Sequence, residues 1–268
     1  MKASINGFQM AFDDVGNCVS VLFIHGFPLN RKIWQPQVES LREEFRVITP
    51  DVRGHGESEA TPGVYEMNVL ADDIALLMRH LQSGPAFLAG HSMGGYILFA
   101  FYRKYPELVR GLVLVSTRAA ADGAEGKTNR EALAQRVEQE GHQPVVEKML
   151  KPMLAEASVR ANPSLKFEVE GMMRSTSIAG LAGVSRGMAL RNDATSLLAQ
   201  INVPTLILAG TADALIPPAE SENMAATIPH ARLHLLEGVG HLPSLERAEE
   251  VSRIMRAWLK DEIAQVMS

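Results

Sequence analysis

The sequence predicts an α/β fold, a mostly parallel central sheet with helices on both faces. Three observations predict it. Short, nearly continuous apolar runs such as residues 19–24, 86–89, 112–115 and 205–209 suit strands buried on both faces of a parallel sheet. Stretches with helical spacing alternate with those runs. The chain has 268 residues, 46% of them hydrophobic and 21% charged, enough for one large domain with a sizeable core.

The elements follow in order. Residues 2–5 and 8–13 flank Asn6-Gly7, the pair preferred in a two-residue type I′ hairpin turn, where both positions need positive φ. Residues 19–24 form the first buried strand, and 46–49 a short one ended by Pro50. Leu70, Ile74, Leu77 and Leu81 recur at spacings of four, three and four, predicting a helix over 68–81. Gly84-Pro85 punctuates; 86–89 is a strand, 95–105 a helix stopped by Pro106, and 112–115 a buried strand. The alternation then breaks. Residues 117–199 are helical in character without a strong strand pattern, so they read as an insertion between two parts of one core, 1–116 and 200–268. Strands at 205–209 and 232–236, with a helical stretch between them, resume the pattern, and an amphipathic helix over 248–263 closes it.

Composition excludes several function classes. The formal charge of −5 without a long basic run excludes nucleic acid as a partner. A lone cysteine, Cys18, rules out a disulfide within the chain and fits a reducing cytosol. The first residues lack the apolar core of a signal peptide, and no apolar run approaches the ~18 residues that span a bilayer. A soluble, cytoplasmic protein without a membrane partner is expected.

The chemistry concentrates in three places. Gly90-His91-Ser92-Met93-Gly94-Gly95 follows a buried strand and precedes a helix. That is the context of a Gly-x-Ser-x-Gly elbow, whose strained turn lifts the serine hydroxyl from the sheet edge beside a helix N-terminus. Ser92 is the candidate nucleophile. A serine needs a base, and His241, in the loop Gly238-Val239-Gly240-His241 after the last strand, is the candidate. The base needs an orienting carboxylate, and Asp213, in Gly210-Thr211-Ala212-Asp213, sits just after a buried strand. Loops at strand C-termini are where open α/β sheets hold their ligands. Oxyanion donors are expected from the backbone N–H of Met93 and from the loop His25-Gly26-Phe27-Pro28. Pro28 has no N–H, so Phe27 is the donor there.

Other residues weigh less. The Phe27 ring, Trp34, Met149 and Met153 are candidate pocket-wall residues, with plain core packing as the competing role. Arg53, His55 and Glu57 form a polar cluster but lack a motif of their own. His230 and His234 lie in or beside a strand, without the helical clustering of a zinc motif. The insertion carries 11 Lys/Arg and 10 Asp/Glu between Thr117 and Thr195, a balance that gives no lead toward an anionic or cationic substrate.

Taken together, His25–Pro28, Asp51–Ser58, the elbow, Gly210–Asp213 and Gly240-His241 resemble the α/β-hydrolase superfamily over nearly the whole chain. The stretch 187–195 is similar to its carboxylesterase and 3-oxoadipate enol-lactonase-like branch. The resemblance implies an α/β-hydrolase fold with residues 117–199 as a helical cap, and a structural role for 51–58 near the site. It implies hydrolysis of small-molecule carboxylic esters through a Ser-His-Asp triad and an acyl-enzyme, with no metal or organic cofactor required. A lactonase is the nearest alternative; a cofactor-free perhydrolase or a carbon–carbon bond hydrolase would use the same residues. Dehalogenase and epoxide hydrolase relatives carry aspartate at the elbow, and Ser92 departs from that. A small-ligand receptor on the same fold is the alternative outside enzymes.

Overall fold

The computed structural model describes residues 1–267, with side chains through residue 265. Eight strands form one sheet: β1 (Lys2–Ile5), β2 (Phe8–Val15), β3 (Ser20–Ile24), β4 (Arg46–Pro50), β5 (Ala86–His91), β6 (Val109–Val115), β7 (Thr205–Gly210) and β8 (Ala231–Leu236). Their spatial order is β1-β2-β4-β3-β5-β6-β7-β8. The first two strands pair antiparallel, β2 pairs antiparallel with β4, and every later pairing is parallel. The hairpin turn has Asn6 at φ 48° and Gly7 at φ 82°, the two positive values a type I′ turn requires.

Alternation along the strands divides the core. Leu22, Ile24, Leu88, Leu112, Leu114 and Ile207 face one side with the helices Met67–His80, Met93–Lys104 and Pro218–Thr227. Val21, Phe23, Phe87, Val113, Leu206 and Leu208 face the other, against Gln35–Leu41 and Ala248–Met267. Period-2 side-chain direction thus gives both faces a full apolar complement.

The helix Gln35–Leu41 and the 3₁₀ turn Arg31–Trp34 before it were absent from the sequence pattern. Two short pieces joined at Pro36 give too few residues to display a period. Between β6 and β7 the chain forms helices Ala124–Glu140, Gln143–Met153, Glu156–Ala161, Ser164–Ser175 and Ile178–Ala189, then the short Thr195–Leu198. Among the described residues, no helix is long and apolar enough to cross a membrane.

The chain leaves β3 toward β4 on one side, while β5 to β8 continue on the other. The crevice at the C-terminal ends of β3 and β5 is therefore the switch point where open sheets of this kind bind ligands.

Candidate active site

Ser92 occupies that crevice, immediately after β5. Its backbone lies at φ 53°, ψ −110°, a conformation that costs a non-glycine residue about 1–3 kcal/mol. The surroundings enforce it. A Cβ at Gly90 would lie 2.6 Å from the Gly94 carbonyl, one at Gly94 would lie 2.4 Å from the Ile24 carbonyl oxygen, and one at Gly95 would strike Thr117. The glycines let β5, β3 and the helix Met93–Lys104 close on one point. The end of β6 clamps the turn: Ser92 N–H donates to the Val115 carbonyl (2.8 Å) and Thr117 Oγ1 donates to the Ser92 carbonyl (2.7 Å). The helix starts at Met93 rather than at 95, because the elbow glycines themselves make its first turn.

Asp213 follows β7 and His241 follows β8. The imidazole Nδ1 lies 2.8 Å from Asp213 Oδ2, with both side chains almost wholly buried. Asp213 Oδ1 accepts from the N–H groups of Leu215 (2.8 Å) and Ile216 (2.9 Å). Burial pushes the Asp213 carboxyl up, but the His241 charge and these hydrogen bonds outweigh it and hold the acid below its ordinary range. A carboxylate that only accepts fixes the proton on His241 Nδ1 and leaves Nε2 as the basic nitrogen. Ser92, His241 and Phe27 line one cavity of about 210 Å³. Neither the Phe27 nor the Met93 N–H donates to a protein group among the described residues, the state an oxyanion site needs before its ligand arrives.

The histidine loop is held from three directions. His91, the residue before Ser92, donates Nε2–H to the His241 carbonyl (2.7 Å). Burial first, then repulsion by His241, lowers its pKa to about 3, so the ring stays neutral. Its Nδ1 would lie 2.5 Å from a Cβ on Gly26, so close approach, not a left-handed backbone, is what requires that glycine. The His241 N–H donates to the Met153 carbonyl (3.0 Å), in the helical segment between β6 and β7. Glu246 accepts from Gly240 N–H (3.1 Å) and Ala155 N–H (3.0 Å) on Oε2, and from Leu242 N–H (3.0 Å) on Oε1. A carboxamide offers one acceptor oxygen in place of two. Glu246→Gln is therefore expected to cost about 2 kcal/mol by chemical denaturation and to lower kcat of hydrolysis more than it raises KM; unchanged stability and kcat would show the loop is held without it.

The wall differs from expectation in two places. Phe27 and Met149 line the cavity, but Trp34 and Met153 do not. Trp34 is fully buried, tilted against Phe23 at 5.0 Å and edge-on to His91 at 6.5 Å. The sidedness of its short helical turn sends the ring into the core behind the site. Met153 is likewise buried and reaches the site only through its backbone carbonyl. Tyr96, Arg118, Asp122, Arg130 and Lys148 line the cavity and carried no motif. For Arg118 a signal existed: it lies just past β6, at the same sheet edge as Ser92. Of the polar cluster at 53–57, Arg53 pairs with Asp73 (2.7 Å), Glu57 with Arg31 (3.3 Å), and His55 is buried against His25. None of these lines the cavity.

A family model for the α/β-hydrolase fold matches residues 19–248. The chain is a member of the α/β-hydrolase family. Among solved structures, this hydrolase is similar to a thermophilic esterase from Thermogutta terrifontis with malate bound, at 42% identity and a TM-score of 0.95 over 98% of each chain. It is also similar to the enol-lactonase of Burkholderia xenovorans LB400, at 26% identity and a TM-score of 0.90 over 97% of this chain and 100% of that one. The 3-oxoadipate enol-lactonase 2 of Acinetobacter baylyi is 25% identical over 90% of the hydrolase and 88% of its own length.

Proposed function

We propose that the chain is a serine hydrolase of small carboxylic esters, with Ser92 as nucleophile, His241 as general base and Asp213 as its orienting acid. The observation that carries this is the buried 2.8 Å His241–Asp213 pair sharing a cavity with a serine on a strained elbow. His241 Nε2 takes the Ser92 proton as Oγ attacks the ester carbonyl. The Phe27 and Met93 N–H groups receive the oxyanion, helped by the helix N-terminus at Met93. The imidazolium, stabilised by Asp213, returns its proton to the leaving alkoxide. Water deprotonated by His241 then attacks the acyl-enzyme, and the acid departs. None of these steps calls on a metal or organic cofactor.

A lactone is an ester whose leaving alkoxide stays tethered, so the same groups open it. The enol-lactonase relatives favour that second reading. An engineered cavity of roughly 150 Å³ takes a benzene ring, so 210 Å³ suits a short acyl group.

The test combines labelling with turnover. A fluorophosphonate is expected to add once, at Ser92 by peptide mass, and to abolish hydrolysis of p-nitrophenyl butyrate. Steady hydrolysis of the butyrate by a protein that resists the label, or is labelled elsewhere, would overturn the assignment.

A further inference from the structure

The charges that balance along the insertion are sorted in space. The cavity bearing Ser92 and His241 is lined by Arg118, Arg130 and Lys148, and among the described residues by one carboxylate, Asp122. That carboxylate is already committed. Its side chain is 4% exposed; Arg118 Nη2 donates to Oδ1 (2.6 Å), Arg130 Nε donates to Oδ2, and Arg191 Nη1 lies 2.7 Å from Oδ2. Burial raises its pKa, but bonds to Arg191 and Arg130 overcome this and keep it ionised.

Arg191 has further partners of its own, although its buried Nε has none. It stacks on the Tyr96 ring at 4.2 Å and donates to the carbonyls of Met188 and Ala120. Asp122 is thus a single negative charge shared by three guanidiniums, so the wall formed by Arg118, Arg130 and Lys148 keeps a net positive charge. Arg118 uses one of its five donors on Asp122, and its buried Nε has no partner. Glu220 pulls on Arg118 only at longer range. Lys148, exposed in the cavity wall, has no ion pair among the described residues. A cluster of three cations around one small, partly enclosed space is completed by an anion in that space.

We infer that Arg118 and Lys148, backed by Arg130, form a carboxylate-binding subsite, and that the substrate is a short ester or lactone carrying a free carboxylate. The inference rests on the hydrolase reading for its chemistry, but not for the binding itself.

The experiment compares mono-p-nitrophenyl glutarate with p-nitrophenyl valerate, whose acyl chain has the same number of carbons. In wild type the kcat/KM ratio is expected to favour the glutarate by about tenfold or more at low ionic strength, and to shrink at high salt. Lys148→Gln and Arg118→Gln are each expected to lower that ratio by about five- to tenfold; the ratio cancels losses common to both esters. Lys148 holds no structural bond, so its variant remains informative should Arg118→Gln misfold. In parallel, glutarate binding to Ser92→Ala is read by calorimetry against glutaramide. Binding of the dianion that weakens about tenfold in Lys148→Gln supports the subsite, even if no ester is turned over and the hydrolase reading fails. A preference for valerate together with no discrimination between glutarate and glutaramide overturns it, with the hydrolase reading left standing wherever valerate turnover depends on Ser92.

Discussion

Ser92→Ala is expected to lower kcat for p-nitrophenyl ester hydrolysis by about a million-fold, with the fold and its stability nearly unchanged. The substitution removes one oxygen from a residue whose backbone is clamped by β6 and by the three glycines of the elbow, so the turn keeps its shape. His241→Ala is expected to lose about as much, and the double variant little more, because a nucleophile and its base act as one unit. Asp213→Asn leaves the geometry but removes the acceptor that fixes the Nδ1 proton, with an expected loss of about ten-thousand-fold. Single-turnover kinetics with active-site titration make these measurable. Ser92→Ala retaining a few per cent of wild-type kcat would sink the triad assignment, and additive losses would show that Ser92 and His241 work separately.

The second large effect is acid sensitivity, and it comes from histidines that do no chemistry. His25, His55 and His91 are fully buried beside the site. Desolvation first, with repulsion from neighbouring positive groups in each case, lowers their pKa values to about 4, 3 and 3. In the unfolded chain each returns to about 6.5. Between those limits the unfolded state binds more protons than the native one, so stability rises with pH. It is complete above about pH 7 and is lost as pH falls toward the native values. Three such protons give a slope of about 4 kcal/mol per pH unit near pH 5.5, against a total stability of about 5–15 kcal/mol. Urea unfolding followed from pH 7 to pH 5 reads it. That window excludes most carboxylate effects, since Asp51 and Asp73, raised by burial, act in the opposite sense closer to their own titration. A flat profile would mean the three rings are protonated or hydrated in the native state.

How much of this was legible depends on whether a signal is local. The hairpin was, because Asn6-Gly7 states its own backbone conformation. Five of the strands were, because apolar runs of that length carry their own burial, whereas β8, at the sheet edge, is fully buried only at Leu236; the three candidate triad residues lay in loops with glycine signatures. The Trp34 and Met153 placements were not legible. Their side-chain directions depend on the rotation of a helical turn against its neighbours, which no single segment encodes. The same holds for Glu246, an ordinary surface-type residue in sequence, which ties its own loop at Gly240 and Leu242 to the distant Ala155. The cationic cavity wall was hidden by summation. Eleven positive against ten negative charges is neutral on a page, while in space Arg186 is paired with Glu131 and Glu138 away from the site, and Arg118, Arg130 and Lys148 converge on it.

Met153 and Ala155 belong to the segment between β6 and β7 that also lends Arg118, Arg130, Lys148 and Met149 to the cavity wall, yet one accepts from the His241 backbone and the other shares a carboxylate with Gly240 and Leu242. The two stretches, far apart in the sequence, are therefore physically one part. A recombinant that swaps residues 117–199 for those of a relative, while keeping the native 238–246 loop, would separate the donor of a new specificity from the anchor of its own base; exchanging both stretches together keeps that seam closed.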